Sequence, residues 1–381
     1  AYKYDKYGNL TKITEADGNV SSLAYDQVGN LTSITDAEGR TTTYEYDLNS
    51  QLIKEIDPEG DVYEYRYDKA GNLVKEINPL GEETVYAYDG AGNLTGETDG
   101  KGNTNTYLYD KESRLIGQKD KNGNLYSLQY DGNGRVTKGI STEGGEEHYE
   151  YDSLGNLLTH TDMEGGVTSY AYDSMSRVTK TTMPEGGIYE YRYNTHGALT
   201  KETTPTGAIT TYERDLYDQV ITRVLPGDAV YEYEYDVFGR LTGQQAPNNQ
   251  SKTYTYDTSG NLIEEVDQSS RRVTYTYDQM GRLTELENPL GHKTAYAYDE
   301  AGNLTSAVTP MGHTTTYRYD QLDRIKEITD PAGAIRELSY DEAGNLTALK
   351  ENGERLTTYS YDKEGNQTGT TNALGQTNTA A

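Results

Sequence analysis

The sequence predicts an all-β protein, built as a repetitive antiparallel meander of β-hairpins. Three observations predict this fold class. The pattern recurs every 21 residues, each copy holds two tyrosines spaced two residues apart, and two turn signals separate the apolar runs. Self-similarity at a fixed period of about 20–50 residues is typical of repeat architectures. Eighteen copies fill residues 1–381, which we interpret as a single array.

Each repeat is counted from a marker tyrosine that an aspartate or, once, an asparagine follows. The markers begin at Tyr4 and recur without insertion to Tyr361, and only Arg214 departs from tyrosine. A second tyrosine stands two residues before most markers, and Leu, Val or Ile stands six residues after all but the last. This regularity predicts one local structure in every copy.

The strands follow from the alternation around each marker. Tyr44 and Tyr46 are two residues apart, so a strand places them on one face, while the residue between them varies and is often polar. One tyrosine-rich face and one wet face are typical of a half-buried antiparallel sheet. The turn spacing predicts Tyr46 opposite Leu52, a cross-strand pair of about 0.2–1 kcal/mol.

Each repeat contains two predicted turns. The first turn, Asp-x-x-Gly-Asn, follows the marker directly, and the second turn, often Asp-Pro-x-Gly, begins ten residues later. Aspartate suits the first position of a type I turn, proline the second, and glycine the left-handed fourth. The predicted turn residues include Asp47, Pro58, Gly60, Asp68, Gly71 and Asn72.

The paired tyrosines and the aliphatic residue after each first turn should form a ladder along one face of the sheet. Its predicted rungs include Tyr44, Tyr46, Leu52, Tyr65, Tyr67, Leu73, Tyr86, Tyr88, Leu94, Tyr296, Tyr298 and Leu304. At about 4.8 Å per strand, 36 strands make a sheet about 170 Å wide, which must curl. Closed in a single turn it would form a ring about 55 Å across, too wide for side chains to fill. We therefore expect a hollow wall with the tyrosines inward and the acidic face outward.

Composition excludes several classes of function. The formal net charge of −28 opposes nucleic-acid binding, and zero cysteine excludes disulfides and thiol catalysis. No apolar run is long enough for a membrane-spanning helix. The five histidines lack zinc-ligand spacing, and the residues that open like a calcium loop at Asp131 end in Thr142 where glutamate is needed. We expect no metal, no cofactor and no enzymatic activity.

The 21-residue unit, as in "YEYDLNS…DPEG" and "YAYDEAGNLTSAVTPMG", resembles the YD repeats of the Rhs family. That family includes bacterial wall-associated and contact-dependent toxins, the C component of Tc insecticidal toxins, and animal teneurins. The resemblance covers the whole chain and implies an open spiral β-shell that encloses a passenger polypeptide, often a toxin, together with adjoining shell segments. The "GNLT" copies resemble those of Gram-positive wall-associated proteins, which implies a secreted or cell-surface location. No closing segment, self-cleaving site or toxin tip is recognised, so we interpret the chain as part of a longer shell protein.

Two alternatives stay open at the level of sequence. The tyrosine face could instead bind glycan or cell wall as an adhesin, because aromatic rings stack on sugars; outward, solvent-exposed tyrosines would favour that reading. The copies around Arg214, Asp218 and Asp228 depart most from the pattern, and Asn249 and Ser270 replace the second-turn glycine. These departures are interpreted as drift, with a seam or binding spot as the alternative.

Overall fold

The computed structural model describes residues 1–16 and 18–379, which form one antiparallel sheet of 37 strands. Each strand from β2 to β36 pairs with the strands before and after it in the chain, so the topology is an uninterrupted meander. The described residues contain a single helical element, a three-residue 3₁₀ turn at Pro247–Asn249. The predicted all-β hairpin meander is confirmed.

The strands follow the repeat closely, with alternating lengths of mostly five and six residues. Their bounds are β1 Tyr2–Tyr4, β2 Leu10–Thr14, β3 Val20–Tyr25, β4 Leu31–Thr35, β5 Thr41–Tyr46, β6 Leu52–Ile56, β7 Val62–Tyr67, β8 Leu73–Ile77, β9 Glu83–Tyr88, β10 Leu94–Thr98, β11 Thr104–Tyr109, β12 Leu115–Lys119, β13 Leu125–Tyr130, β14 Val136–Ile140, β15 Glu146–Tyr151, β16 Leu157–Thr161, β17 Val167–Tyr172, β18 Val178–Thr182, β19 Ile188–Tyr193, β20 Leu199–Thr203, β21 Ile209–Arg214, β22 Val220–Leu225, β23 Ala229–Tyr235, β24 Leu241–Ala246, β25 Gln250–Tyr256, β26 Leu262–Asp267, β27 Arg272–Tyr277, β28 Leu283–Glu287, β29 Lys293–Tyr298, β30 Leu304–Val308, β31 Thr314–Tyr319, β32 Ile325–Thr329, β33 Ile335–Tyr340, β34 Leu346–Glu351, β35 Arg355–Tyr361, β36 Gln367–Thr371 and β37 Thr377–Thr379.

A β-bulge recurs beside the first turn of each repeat. In the β7–β8 hairpin, Tyr67 pairs with Leu73 and Arg66 pairs with Lys75, so Val74 is the extra residue. The next ladder, between β8 and β9, holds three pairs and begins only at Lys75. Bulges increase local twist and bend a strand. A bulge at the same place in every hairpin therefore helps the sheet to curl in one sense.

The sheet curls into a spiral whose successive turns touch. Hydrogen bonds join residues 240–260 positions apart, as between Asn122 and Asp362 or between Gln321 and Asp61. That separation corresponds to about twelve repeats, or 24 strands, so eighteen repeats make about one and a half turns. At about 4.8 Å per strand, 24 strands form a ring about 37 Å across, narrower than the 55 Å of a single closed turn. The sequence offered no contact from which this tighter curvature could be read.

The wall has no filled core. No hydrophobic side chain among the described residues is fully buried, and the accessible surface is 23067 Å². A compact monomer of 42.4 kDa would expose about 15,000 Å² by the usual scaling. The excess surface is what a single-layer sheet with solvent on both faces produces. The open spiral shell expected from the sequence is the observed architecture.

Candidate functional site: the tyrosine ladder and the seam between spiral turns

Each first turn is closed by its leading aspartate. Asp68 Oδ1 accepts hydrogen bonds from the backbone N–H groups of Ala70 (2.8 Å) and Asn72 (2.9 Å), and Oδ2 accepts one from the Asn72 side-chain amide at 3.0 Å. These bonds, led by the Asn72 amide, lower the pKa of Asp68. Gly71 takes the left-handed conformation with φ 95°. Asp47 builds the same turn, in which Ser50 adopts φ 62° in place of glycine.

The second turn repeats this arrangement at the opposite end of each hairpin. Asp57 Oδ1 accepts the backbone N–H groups of Glu59 (3.0 Å) and Asp61 (2.8 Å), and Gly60 has φ 89°. Pro58 stands at the second position, where its fixed φ suits the turn. Asp218 and Ser270, which stand at the glycine position of their turns, adopt φ of 61° and 58° and keep this backbone. The second turns at Asp228 and Asn249 differ, because the preceding residues Gly227 and Asn248 are also left-handed (φ 84° and 68°) and the flanking strands gain one more pair. The altered sequences therefore keep a turn at each place but change its backbone in two copies.

The marker tyrosines lie directly opposite the aliphatic residue that follows each first turn. The register pairs Tyr46 with Leu52, Tyr67 with Leu73, Tyr88 with Leu94 and Tyr298 with Leu304. Tyr46 and Tyr67 are half-buried, whereas Glu45 and Arg66 on the alternate face are exposed.

The second tyrosine of each pair lies opposite a glutamate in several copies. Tyr44, Tyr65 and Tyr86 lie opposite Glu55, Glu76 and Glu97, although Tyr296 lies opposite Ala307. Residues directly opposite in a sheet share one face, so the expected division into an aromatic face and an acidic face is wrong in these copies. The Tyr86 hydroxyl donates to Glu76 Oε2 at 2.8 Å. Burial, that hydrogen bond and the glutamate charge raise the pKa of Tyr86.

The marker hydroxyls bind the preceding hairpin. Tyr88 Oη donates to the carbonyl of Leu73 at 2.9 Å, and Leu73 lies beyond the end of the β8–β9 ladder. The bond is part-buried and gives the Leu73 carbonyl a partner beyond the end of that ladder, with a contribution of about 1 kcal/mol, the usual net value of a hydrogen bond. The same bond, to the carbonyl fifteen residues earlier at 2.5–2.9 Å, is made by Tyr130, Tyr151, Tyr172, Tyr193, Tyr235, Tyr256, Tyr277, Tyr298, Tyr319, Tyr340 and Tyr361.

Arg214 shows that this hydrogen bond is retained even where the tyrosine is not. Its Nε donates to the carbonyl of Leu199 at 3.0 Å, again fifteen residues earlier. Its Nη1 also donates to the carbonyl of Asp218 in the adjoining first turn, at 2.6 Å. The exceptional marker therefore keeps a donor at the position where phenylalanine would have none.

In repeat 7, Tyr126 and Gly139 compensate for the missing second tyrosine. Leu128 replaces the second tyrosine, and Tyr126 stands two residues earlier on the same face. A Cβ at Gly139 would lie 1.9 Å from the Tyr126 hydroxyl, so the ring occupies the space that a side chain would need. Tyr126 donates to Glu147 Oε2 at 2.9 Å. Sequence alone does not relate Gly139 to Tyr126, because they meet only across the hairpin.

Arginines at the fifth position of several first turns were not singled out from the sequence. Arg135 pairs with Asp131 of its own turn, its Nη1 donates to the carbonyl of Asp152 at 2.9 Å, and its guanidinium lies 4.8 Å from the ring centroid of Tyr151. Such a cation–π contact contributes about 0.5–1 kcal/mol at exposed sites. Because both contacts reach the next repeat, these arginines join neighbouring hairpins.

The seam between spiral turns joins second turns of early repeats to first turns about twelve repeats later. Glu38 forms an ion pair of 3.0 Å with Arg282, and Lys101 forms one with Asp341. Arg40 Nη1 donates to the carbonyl of Glu300 at 2.7 Å. Exposed ion pairs are each worth about 0–1 kcal/mol, so the seam depends on several contacts acting together.

The described part of the chain shows neither a metal-ligand cluster nor a membrane-spanning helix. Residues 1–16 and 18–379 contain no cluster of three or more metal-ligating side chains, and His160 stacks on Tyr149 with ring centroids 4.7 Å apart. Within the same ranges, no helix is long and apolar enough to cross a membrane.

Comparison with known proteins identifies the repeat. The RHS Repeat family matches residues 4–37, 25–62, 46–83, 67–104, 256–293, 281–310, 298–335 and 340–377, which together exceed half of the chain, and the Teneurin YD-shell family matches residues 124–271. No curated protein matches the chain.

Solved structures share the fold. The chain superposes on the crystal structure of TcdB2-TccC3 without its hypervariable C-terminal region with a TM-score of 0.76 at 17% identity, covering 97% of this chain and 23% of the other. TcdB2-TccC3 itself gives 0.70 at 15% identity, covering 97% and 28%. The Tc holotoxin pore of Photorhabdus luminescens, with a TccC3-D651A mutation, gives 0.58 at 17%, covering 98% and 25%. The chain thus spans about a quarter of these proteins. The RHS Repeat matches, which cover more than half of the chain, show that this chain belongs to the RHS repeat family, the YD repeats.

Proposed function

We propose that this chain is a non-catalytic wall segment of a hollow β-shell that encloses a polypeptide passenger, such as a toxin, in a secreted or cell-surface protein. Residues 1–381 act as one array of eighteen repeats, and adjoining shell segments are its other partners. The Gram-positive-like location rests on the "GNLT" copies alone.

The observation that carries this proposal is the contact between spiral turns. Loop tips twelve repeats apart meet through hydrogen bonds and ion pairs, as Lys101 does with Asp341. This contact turns a long sheet into a wall around a lumen. A lumen bounded by a ring about 37 Å across has room for an unfolded chain or a small folded segment.

The chemistry of the ladder favours a scaffold over an enzyme or an adhesin. Marker hydroxyls such as that of Tyr88 are used in hydrogen bonds to the wall itself, and their rings are half-buried. A glycan-binding platform would need aromatic faces exposed together to solvent. The contacts of the ladder therefore do not favour glycan binding, the alternative that the sequence left open.

A protease-protection experiment tests the proposal. An unstructured passenger is fused after residue 381, and its cleavage rate by a folded protease is compared with that of the free passenger. Enclosure predicts at least a tenfold slower cleavage of the fused passenger. Lys101→Glu, which puts a carboxylate against Asp341 across the seam, should speed cleavage, and adding Arg282→Glu opposite Glu38 should speed it further.

The matched control is Lys69→Glu, which makes the same charge change at an exposed first-turn tip away from the seam. It should leave protection unchanged. A passenger cleaved as fast in the fusion as when free would contradict enclosure. Retention of the unfused chain on purified cell-wall polysaccharide would support the adhesin instead.

A further inference from the structure

Two neighbouring first turns carry a cluster of exposed apolar side chains. The second and third residues of each first turn are called its tip. The tips of repeats 11 and 12 hold Leu216, Tyr217, Val237 and Phe238, which are 79–96% exposed. In every other repeat the tip holds at most one large apolar residue, and Phe238 is the one phenylalanine of the chain. Exposed apolar side chains that gather in one patch mark an interaction surface.

A cleft opens between these two first turns. Its volume is about 860 Å³, and its lining includes Tyr217, Ile221, Glu234, Val237 and Phe238. Ligand-binding clefts in proteins usually measure about 300–1,000 Å³. The side-chain amide of Gln219 donates to the carbonyl of Gly239 at 3.1 Å. This hydrogen bond joins the two turns and so fixes their spacing on either side of the cleft.

The ring of Phe238 is held in place by contacts within the wall. The guanidinium of Arg240 lies 5.2 Å from the ring centroid of Phe238 and 4.8 Å from that of Tyr256. Arg240 Nε also donates to Asp236 Oδ2 at 2.7 Å. A side chain that is ordered before binding loses less conformational entropy when a partner binds. Aromatic anchors of this kind supply much of the binding energy at protein interfaces.

The sheet beside the cleft carries carboxylates without basic partners. Glu213, Glu232 and Glu234 are exposed on the face that alternates with the tyrosines, and Glu213 and Glu232 both pair in register with the same residue of β22. Within the described ranges none of the three forms an ion pair. By contrast Glu45, which holds the same position in repeat 3, pairs with Lys54 at 3.5 Å. The negative charge beside the apolar tips is therefore left uncompensated by the chain.

We propose that this cleft binds a peptide segment of another protein in which apolar side chains stand beside lysine or arginine. The apolar side chains of the segment pack on the tips of repeats 11 and 12, and its cations lie against Glu232 and Glu234. A cation placed over the ring of Tyr217 or Phe238 also gains a cation–π contact. Complementary charge of this kind directs the choice of partner. The inference concerns the outer edge of the wall and is independent of any passenger.

Two observations favour a peptide over a sugar or another turn of the spiral. A sugar is held by side-chain donors as well as acceptors, but the amide of Gln219 and the guanidinium of Arg240 are already used within the wall. The contacts between spiral turns in the described part of the chain are polar, such as that of Glu38 with Arg282. The apolar tips of repeats 11 and 12 therefore do not share the chemistry of the seam.

Selection from a peptide library, followed by measurement of affinity, tests the proposal. Random dodecapeptides displayed on phage are selected on the folded chain at physiological salt. The Debye length is then about 8 Å, which screens attraction by the overall charge of −28. Sequences that combine basic and apolar residues should be enriched. One enriched peptide is synthesised with a fluorescent label, and its affinity for each variant is measured by fluorescence anisotropy.

Tyr217→Ser combined with Phe238→Ser should weaken binding of this peptide at least tenfold. The matched control combines Tyr7→Ser with Val28→Ser, which change the same tip position in repeats 1 and 2, where the side chains are also exposed. The control should change the affinity less than twofold. Circular dichroism checks that both variants fold.

A second pair of changes tests the charge. Glu232→Gln combined with Glu234→Gln should weaken binding and make it less dependent on salt, because the cations of the peptide lose their partners. Both side chains are exposed, so the fold should be retained.

Equal affinity for the parent chain and for the Tyr217→Ser, Phe238→Ser variant would overturn the proposal, since overall charge would then account for binding. A selection that enriches no peptide, or only peptides without basic residues, would do the same. If a purified cell-wall polysaccharide bound instead and required Tyr217 and Phe238, the cleft would be a sugar site. Passenger protection does not use these side chains, so the two proposals fail separately.

Discussion

Removing the marker hydroxyl in a middle repeat should measure what holds neighbouring hairpins together. Tyr88→Phe removes the 2.9 Å bond to the Leu73 carbonyl and should lower the free energy of unfolding by about 1 kcal/mol, the usual net value of a hydrogen bond. Tyr88→Ala also removes a half-buried ring and should cost about 3 kcal/mol, the lower end for aromatic truncation. Equilibrium denaturation followed by circular dichroism measures both, and hydrogen exchange in β8 and β9 localises the loss.

The control is Ala87→Ser, on the exposed alternate face of the same strand, which should change stability by at most about 0.5 kcal/mol. Neighbouring repeats unfold as coupled units, so the slopes of the transitions must agree before the free energies are compared. Equal costs for Tyr88→Ala and Ala87→Ser would refute the ladder. A Tyr88→Phe chain as stable as the parent would show that the hydroxyl bond contributes nothing.

Four further outcomes are expected. Arg214→Tyr should be tolerated, because a hydroxyl can replace the guanidinium on the Leu199 carbonyl, whereas Arg214→Leu should cost about 1 kcal/mol in denaturation. Hydrogen bonds, led by the one from the Asn72 side chain, lower the pKa of Asp68 in the folded chain. The stabilisation from this carboxylate is therefore present above the pKa of the unfolded chain, 3.8, and is lost as the pH falls below it. Asp68→Asn should weaken the loss of unfolding free energy between neutral pH and a pH of about 3. Burial, and then the charges of nearby glutamates, raise the pKa of Tyr65 from 10.0 to about 12. The stabilisation linked to its neutral hydroxyl is therefore present below pH 10 and is lost as the pH rises toward about 12. Tyr65→Phe should reduce unfolding at alkaline pH, measured by circular dichroism. Small-angle scattering should follow the form of a hollow cylinder about 37 Å across, and a curve that fits a filled sphere with a radius of gyration of about 21 Å would contradict the hollow wall.

Much of the fold was readable from the sequence because its determinants are local. Asp68 and Gly71 lie within one turn, and the spacing between Tyr67 and Leu73 is set by that turn. A hairpin with a short, defined turn fixes its own register, so a repeated turn signal predicts a repeated strand pair. The period then carries the prediction through all eighteen copies.

The misplaced glutamates show where local reasoning stops. Glu76 shares the face of Tyr65 because the bulge at Val74 moves the pairing by one residue. The repeat period alone does not show where in a hairpin a bulge occurs, and therefore which side chains share a face. The partner of the marker hydroxyl was also invisible, because Leu73 and Tyr88 belong to different hairpins.

By itself the sequence determined the strands, both turns of each repeat and the curling of a wide sheet, since each depends on residues at most one repeat apart. Only the tertiary structure decided how tightly the sheet curls and which repeats meet at the seam. Curvature is a sum of small rotations at every bulge and turn, and an error of a few degrees per hairpin moves the closure point by whole repeats. Contacts such as that of Glu38 with Arg282, 244 positions apart, depend on this accumulated curvature.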